Sequence, residues 1–175
     1  MLQPRSPASD DMRTVREVER HRRQLNAAFT RVTGLADLPN REEIEADYAR
    51  YLCVMVSGFA ERAIAELILQ YSTGKAPKPL LSYVANTLQR QTNLDKERLC
   101  RLIGSLDAGW GKRLEGFVTD RRQAALNSVV GLRHNIAHGG AGTVTLGQMR
   151  SYWMAVQEIV DEVEAILAPP PRQRR

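Results

Sequence analysis

From Thr145 to Leu167 the apolar residues Met149, Tyr152, Trp153, Val156, Ile159, Val160, Val163 and Ile166 recur three and four apart. At about 100° per residue they fall on one stripe of an α-helix, whereas a strand would send successive side chains to opposite faces. Thr145 followed by Gln148 is a capping-box signature for the start of that helix. The same spacing dominates long windows elsewhere, and no stretch of strict alternation competes with it. The fold class expected is all-α.

Other helices follow from the same reading. A strongly charged first helix is expected over Asp11 to Thr33, stopping at Gly34, with Met12, Val15, Val18, Leu25 and Phe29 as its few apolar positions. It is expected on the outside. Asn40 followed by Glu43 has the form of an N-cap with a reciprocal acid, opening a central helix to about Tyr71, ahead of Gly74, Pro77 and Pro79. Shorter helices fit Leu80 to Gln91 and Leu94 to Leu106, separated by a Thr92-Asn93 cap signal and closed at Gly109 to Gly111. A further helix, from Lys112 or Asp120 onward, ends at Gly139-Gly140, where glycine supplies the positive φ of a helix exit. The organisation expected is a flexible N-terminus over 1–10, a single helical domain over 11–167, and a flexible basic tail over 168–175, which cannot continue a helix past Pro169.

Composition narrows the class. Hydrophobic residues are 43% and charged residues 26%, too apolar for a disordered chain. The balance of 25 Lys plus Arg against 20 Asp plus Glu leaves a charge of +5, which permits a nucleic-acid partner without demanding one. The basic clusters Arg20, Arg22 and Arg23, then Arg121 and Arg122, then the tail, read as solvated surface. Cys53 and Cys100 lie inside apolar helical patterns and read as buried free thiols. The N-terminus lacks the apolar stretch of a signal peptide, and the longest uncharged apolar run, Tyr51 to Ala60, is far short of a membrane span, so no membrane association and a cytoplasmic location are expected.

The chemistry gathers at Arg133-His134-Asn135-Ile136-Ala137-His138. On a helix Leu126, Val129, Val130 and Ala137 form an apolar stripe with Arg133 in its middle, and a guanidinium there needs an acid or a phosphate to answer it. The central helix offers Glu61, on the row of Val54, Gly58, Ala65 and Ile68 and opposite a solvent stripe of Arg62, Glu66 and Gln70; a Glu61 to Arg133 ion pair is expected. His138 lies about 140° around from Arg133, so the two converge only if the glycines end or unwind the last turn, or if two chains share a cleft. An arginine beside a histidine suits RNA cleavage without metal, because the ribose 2′-hydroxyl is its own nucleophile, histidine moves the proton, and arginine stabilises charge on the phosphoryl oxygens. One histidine cannot be base and acid in the same step, which favours a homodimer. His134 and His138 as a zinc pair would want a glutamate after the first histidine, and Asn135 stands there, so neither metal nor cofactor is expected. His21 reads as surface, and Trp110 and Trp153 as core.

Leu-Arg-His-Asn-Ile-Ala-His-Gly, residues 132–139, resembles the arginine, four residues, histidine signature of the HEPN superfamily, of the RiboL-PSP-HEPN kind. Val56-Ser57-Gly58-Phe59-Ala60-Glu61 is similar to the acid-bearing second helix of prokaryotic HEPN domains, and the resemblance covers about residues 40–167. It implies an antiparallel bundle of about five to six helices, dimerising through the motif face. It also implies a metal-independent endoribonuclease leaving 2′,3′-cyclic phosphate and 5′-hydroxyl ends. The catalytic pair it implies is Arg133 and His138, with His134, Asn135 and Glu61 supporting them or binding RNA. Such proteins include toxins and phage-defence effectors, and the partners implied are RNA, a second copy of the chain, and an antitoxin such as a nucleotidyltransferase. The alternative within the superfamily is a catalytically silent binding or regulatory module.

Overall fold

The computed structural model describes residues 7–32, 40–140 and 142–168, with side chains from Glu17 onward in the first stretch. Seven helices are present among them, α1 (Pro7–Val32), α2 (Arg41–Ser72), α3 (Lys78–Gln89), α4 (Lys96–Gly104), α5 (Ala108–Phe117), α6 (Asp120–Ala137) and α7 (Leu146–Leu167), and no strand. The all-α expectation holds, with more helices than the resemblance implied.

Helix α2 is the axis of the bundle and packs against α1, α3, α6 and α7. Leu52, Cys53, Val56, Phe59, Ala63, Ile64, Leu67 and Ile68 are all buried, a wide apolar face that needs partners on several sides. Helix α7 supplies one of them. Its start is the expected capping box, with the Thr145 hydroxyl accepting from Gln148 N and the Gln148 side chain accepting from Thr145 N, and its apolar stripe from Met149 to Ile166 is buried except for half-buried Tyr152. Trp153 stacks on Phe29 and meets Phe59 edge-on, while its Nε1 donates to Asn26 Oδ1 at 2.7 Å, so this aromatic is core and ties α1 to α7.

Several boundaries differ from the sequence reading. Helix α1 opens at Pro7 rather than Asp11, so residues 7–10 are helical, as suits proline in a first turn. Its expected stop at Gly34 and the tail 169–175 lie outside the described residues, as do the side chains of Met12 and Val15. Asn40 does not cap α2 with its side chain; it takes a left-handed backbone at φ 62°, which asparagine tolerates, and its carbonyl accepts from Ile44 N. Gly109 and Gly111 do not close a helix but sit within α5, which Asp107 caps by accepting from Trp110 N. The reason is tertiary. A Cβ on Gly111 would stand 2.7 Å from Gly104 Cα, so α4 and α5 cross where only glycine fits.

The charged first helix packs closely on α2. Val18, Leu25, Ala28, Phe29 and Val32 are buried, Arg22 pairs with Asp161 of α7 at 2.6 Å, and His21 Nε2 lies 3.3 Å from Arg62 Nη1. Burial, then Arg62 and Arg20, hold the His21 imidazole below its usual range. The Arg121 and Arg122 cluster is likewise engaged, since both guanidinium groups bond Glu158 and hold its carboxyl below the usual carboxylate range. Cys100 is half-buried rather than buried. Among the described residues no helix is long and apolar enough to cross a membrane.

Packing of α1 also changes the stripe expected to face solvent on α2. Arg62 is exposed, but Glu66 and Gln70 are half-buried, and Glu66 Oε2 and Gln70 Oε1 are buried with no hydrogen-bond partner among the described residues. Burial pushes the Glu66 carboxyl up, and the nearby Glu17 adds to the effect, against smaller opposing contributions from Arg62 and Arg20. A carboxyl raised in the folded state favours folding while protonated, and that contribution is lost as pH rises through the raised value. Glu66→Gln should therefore raise the Tm near neutral pH, with the difference from wild type shrinking as pH falls, as read by thermal denaturation across a pH series. Gly111→Ala should destabilise the protein by about 1–3 kcal/mol in chemical denaturation, because α4 and α5 must separate.

Candidate active site

Helix α6 is fixed to α2 one turn before the motif, where the Cys53 thiol donates to Val129 O at 3.5 Å; burial pushes that thiol up to about 11. Leu126 and Val129 are buried and Val130 half-buried, which leaves Arg133 half-buried at the edge of the bundle. Ala137, expected on the buried stripe, is exposed because α6 is running out past its neighbours.

Arg133 and Glu61 do not form the expected ion pair. The loop between α3 and α4 stands between them, and one residue serves both. Arg133 Nη1 donates to Asn93 Oδ1 at 2.7 Å, and Asn93 N donates to Glu61 Oε1 at 2.6 Å. Because a guanidinium is donor only, the carbonyl end of the Asn93 amide has to face it. Asn93 adopts φ 56°, and Arg98 Nη1 reaches the carbonyls of Thr92 and Asn93 at 3.4 and 3.3 Å, pinning the loop from the other side. The loop is also docked on α6 beyond Asn93, where Lys96 N donates to Asn127 Oδ1 and Lys96 Nζ to Gln123 Oε1, both at 3.1 Å.

Thus Glu61 is half-buried, as inferred, and acts on Arg133 through an intermediary. Asn93 belongs to the cap signal expected from the sequence, but the residue that caps α4 is Asp95, accepting from Arg98 N at 2.9 Å. An asparagine two residues ahead of a better cap, free to turn left-handed, was the available sign that its side chain had other work.

The end of α6 is a Schellman turn. Gly140 N donates to Asn135 O at 2.8 Å and Gly139 N to Ile136 O at 3.2 Å, with Gly139 at φ 75°. A Cβ on Gly140 would stand 3.1 Å from Asn135 O. The turn does not unwind the helix, since His138 N still bonds His134 O at 3.2 Å. Within one chain His138 therefore remains about 140° around the helix from Arg133, and the glycines do not bring the two together. The neighbour of His138 is His134, with ring centroids 4.5 Å apart and planes at 61°. Both histidines and Asn135 are exposed. Among the described residues no cluster of three or more metal-ligating side chains occurs.

Arg133 gives one of a guanidinium's five donors to Asn93, and the exposed His134 and His138 follow it at the end of the same helix. A guanidinium can seat an anion and an imidazole can carry a proton, but within one chain Arg133 and His138 face different directions around α6. Residues 16–168 match the RiboL-PSP-HEPN family. The chain belongs to that family. No curated protein and no solved structure matches it significantly.

HEPN domains are nuclease or RNA-binding modules, and this is one of them. The match begins at residue 16, so it takes in most of α1 and extends beyond the residues 40–167 that the motif resemblance covers. That extent agrees with the Trp153 to Asn26 bond and the Arg22 to Asp161 pair, which make α1 structural. In this HEPN chain the Asn93 geometry has a direct test. Asn93→Gly keeps a left-handed backbone and the N–H to Glu61, whereas Asn93→Ala adds the left-handed penalty, so the alanine variant should be about 1–2 kcal/mol less stable than the glycine variant in urea denaturation.

Proposed function

We propose that this HEPN protein is a metal-independent endoribonuclease that cleaves RNA by attack of the 2′-hydroxyl, leaving a 2′,3′-cyclic phosphate and a 5′-hydroxyl. The observation that carries the reading is the fixed Arg133 guanidinium, half-buried and held by Asn93, on the same helix end as the exposed imidazole of His138. Arg133 binds the scissile phosphodiester and stabilises the charge that builds on its non-bridging oxygens. His138 transfers a proton at the reacting ribose, since an imidazole nitrogen can take or give one. Asn135 and His134 line the same exposed turn and Glu61 orients the arginine through Asn93.

The active species in this reading is a homodimer closing over the motif face. What supports it is an apolar row on α2 beside Glu61, with Tyr51 52% and Val54 43% exposed next to exposed Gly58, large side chains left in solvent along the row that leads to the site. The cellular role proposed is that of a toxin or phage-defence effector restrained by a partner, such as a nucleotidyltransferase antitoxin. Family membership supports the nuclease class of this reading.

Purified protein incubated with RNA in EDTA should cleave it, and Arg133→Ala or His138→Ala should lower the rate by about 10²–10⁴-fold without loss of fold. Equal cleavage by wild type and variants would remove Arg133 and His138 from the active site, and RNA binding without cleavage by a partner-free wild type would replace the enzyme with a silent binding module. Val54→Asp should shift the sedimentation behaviour toward monomer and reduce cleavage in parallel, because a carboxylate would be desolvated in the interface. Expression of wild type should arrest growth of a bacterial host, and Arg133→Ala should relieve the arrest.

A further inference from the structure

An open groove of about 1070 Å³ runs between α6 and the α4–α5 pair. Half-buried Cys100 and the glycines Gly104 and Gly111, where α4 and α5 cross, line one side of it, and Gln123, Asn127, Val130 and Gly131 form its α6 wall. Around α6, His134 and His138 fall within about 20° of Asn127, about 11 and 17 Å further along the axis, whereas Arg133 lies about 120° away. The wall of the groove is therefore the face of α6 that carries both imidazoles. The α3–α4 loop ties the two directions together, because Asn93 bonds Arg133 while Lys96 bonds Asn127 and Gln123 at the edge of the groove. Both elements that build the candidate site thus also build this groove.

Hydrogen bonding decides what the α6 wall offers a ligand. Lys96 N donates to Asn127 Oδ1 and Lys96 Nζ to Gln123 Oε1, both at 3.1 Å, and an ammonium or a backbone N–H cannot accept, so each amide turns its oxygen toward Lys96. The two NH2 groups are left over, and among the described residues neither has a partner. Charge around the groove is balanced, Asp95, Glu97 and Glu115 against Lys96, Arg101 and Lys112. A phosphate backbone calls for an excess of cations, which this lining lacks, so the part of a nucleic acid it suits is a base. Gly131 leaves room for one, being exposed with nothing within 4 Å of where its Cβ would stand.

Two amide donors side by side discriminate among bases. Guanine presents O6 and N7 as acceptors, and uracil O4, whereas adenine and cytosine present an amino donor on the same edge. The α5 wall offers a cation, Lys112, and an acceptor, Glu115, and so leaves the choice to α6. Resting on the ribonuclease reading above, we propose that the groove is a nucleobase subsite for the RNA strand running to the cleaved linkage, and that Asn127 and Gln123 make it prefer guanine or uracil to adenine or cytosine.

The test uses full-length protein in EDTA and hexameric oligodeoxynucleotides with one ribonucleotide, varying that base and its neighbours one at a time among the four. At one position kcat/KM should be about tenfold higher with guanine or uracil than with adenine or cytosine. Asn127→Asp keeps an oxygen for Lys96 N and puts an acceptor where the NH2 was, so the order at that position should reverse, through KM more than kcat. Comparing bases within one variant removes the general repulsion its carboxylate adds. Gly131→Leu, which fills the groove, should erase the preference with a Tm at or above that of wild type, since leucine suits a helix better than glycine. A readout independent of cleavage comes from Cys100, because Cys53 is fully buried. An uncleavable 2′-O-methyl hexamer with the preferred base should protect Cys100 from N-ethylmaleimide, as read by intact mass.

A wild type without base preference, or an Asn127→Asp variant with the wild-type order, overturns the proposal. So does full labelling of Cys100 at hexamer concentrations that saturate binding by fluorescence anisotropy, the result expected if a protein partner fills the groove instead. In those cases wild type still cleaves and the ribonuclease reading stands. Protection of Cys100 without cleavage upholds the groove and replaces the enzyme with a binding module, and a wild type that neither binds nor cleaves the hexamers brings down both readings.

Discussion

A half-buried guanidinium has to be held by something, and in this protein the holder is a loop rather than a helix. Arg133 sits where α6 leaves the cover of its neighbours, too enclosed for water to serve all its donors and too exposed to be packed as a hydrocarbon. Asn93 answers it with one carbonyl oxygen and is itself fixed by Glu61 through its backbone N–H. The direction of the guanidinium thus depends on the α3–α4 loop, which depends on Arg98 and on the docking of Lys96 against Asn127 and Gln123. Three helices and a loop converge on the orientation of one side chain.

The rest of the bundle makes that convergence possible. Helix α2 is buried on several faces, so half-buried Glu61 is carried to the α3–α4 loop by a helix that packing holds in place. Cys53 fixes the axial position of α6 against α2, and the Schellman turn fixes where α6 stops. The imidazoles of His134 and His138 consequently occupy a helix end whose backbone is hydrogen-bonded through the turn and whose surroundings are open.

Features set by local chemistry were legible in the sequence. The capping box at Thr145 and the stripe that follows involve neighbours within a few residues, and the glycine exit after His138 needs only the left-handed preference of Gly139. Features set by tertiary contact were not. Gly109 and Gly111 carry the same signal whether they end a helix or allow two helices to cross, and only the approach of Gly104 separates the cases. Asn93 looked like a cap because a cap and a bridging side chain ask for the same residue type. The expected Glu61 to Arg133 pair had the right ends and missed the middle, since no periodicity places a loop residue between two helices. The proximity of His134 to His138 follows from their spacing alone, and the glycines after them end the helix without unwinding it, so α6 stays wound to His138.

The neutrality of Asn93 has a consequence for what Arg133 presents to its surroundings. A carboxylate in contact with the guanidinium would orient it and at the same time cancel most of the field felt by an approaching anion. An amide orients it and cancels far less, while the compensating negative charge of Glu61 is held one residue further back. The arginine is therefore aimed without being neutralised, and because the bond that aims it joins a charged group to a dipole rather than to another charge, dissolved salt weakens it less than it would an ion pair.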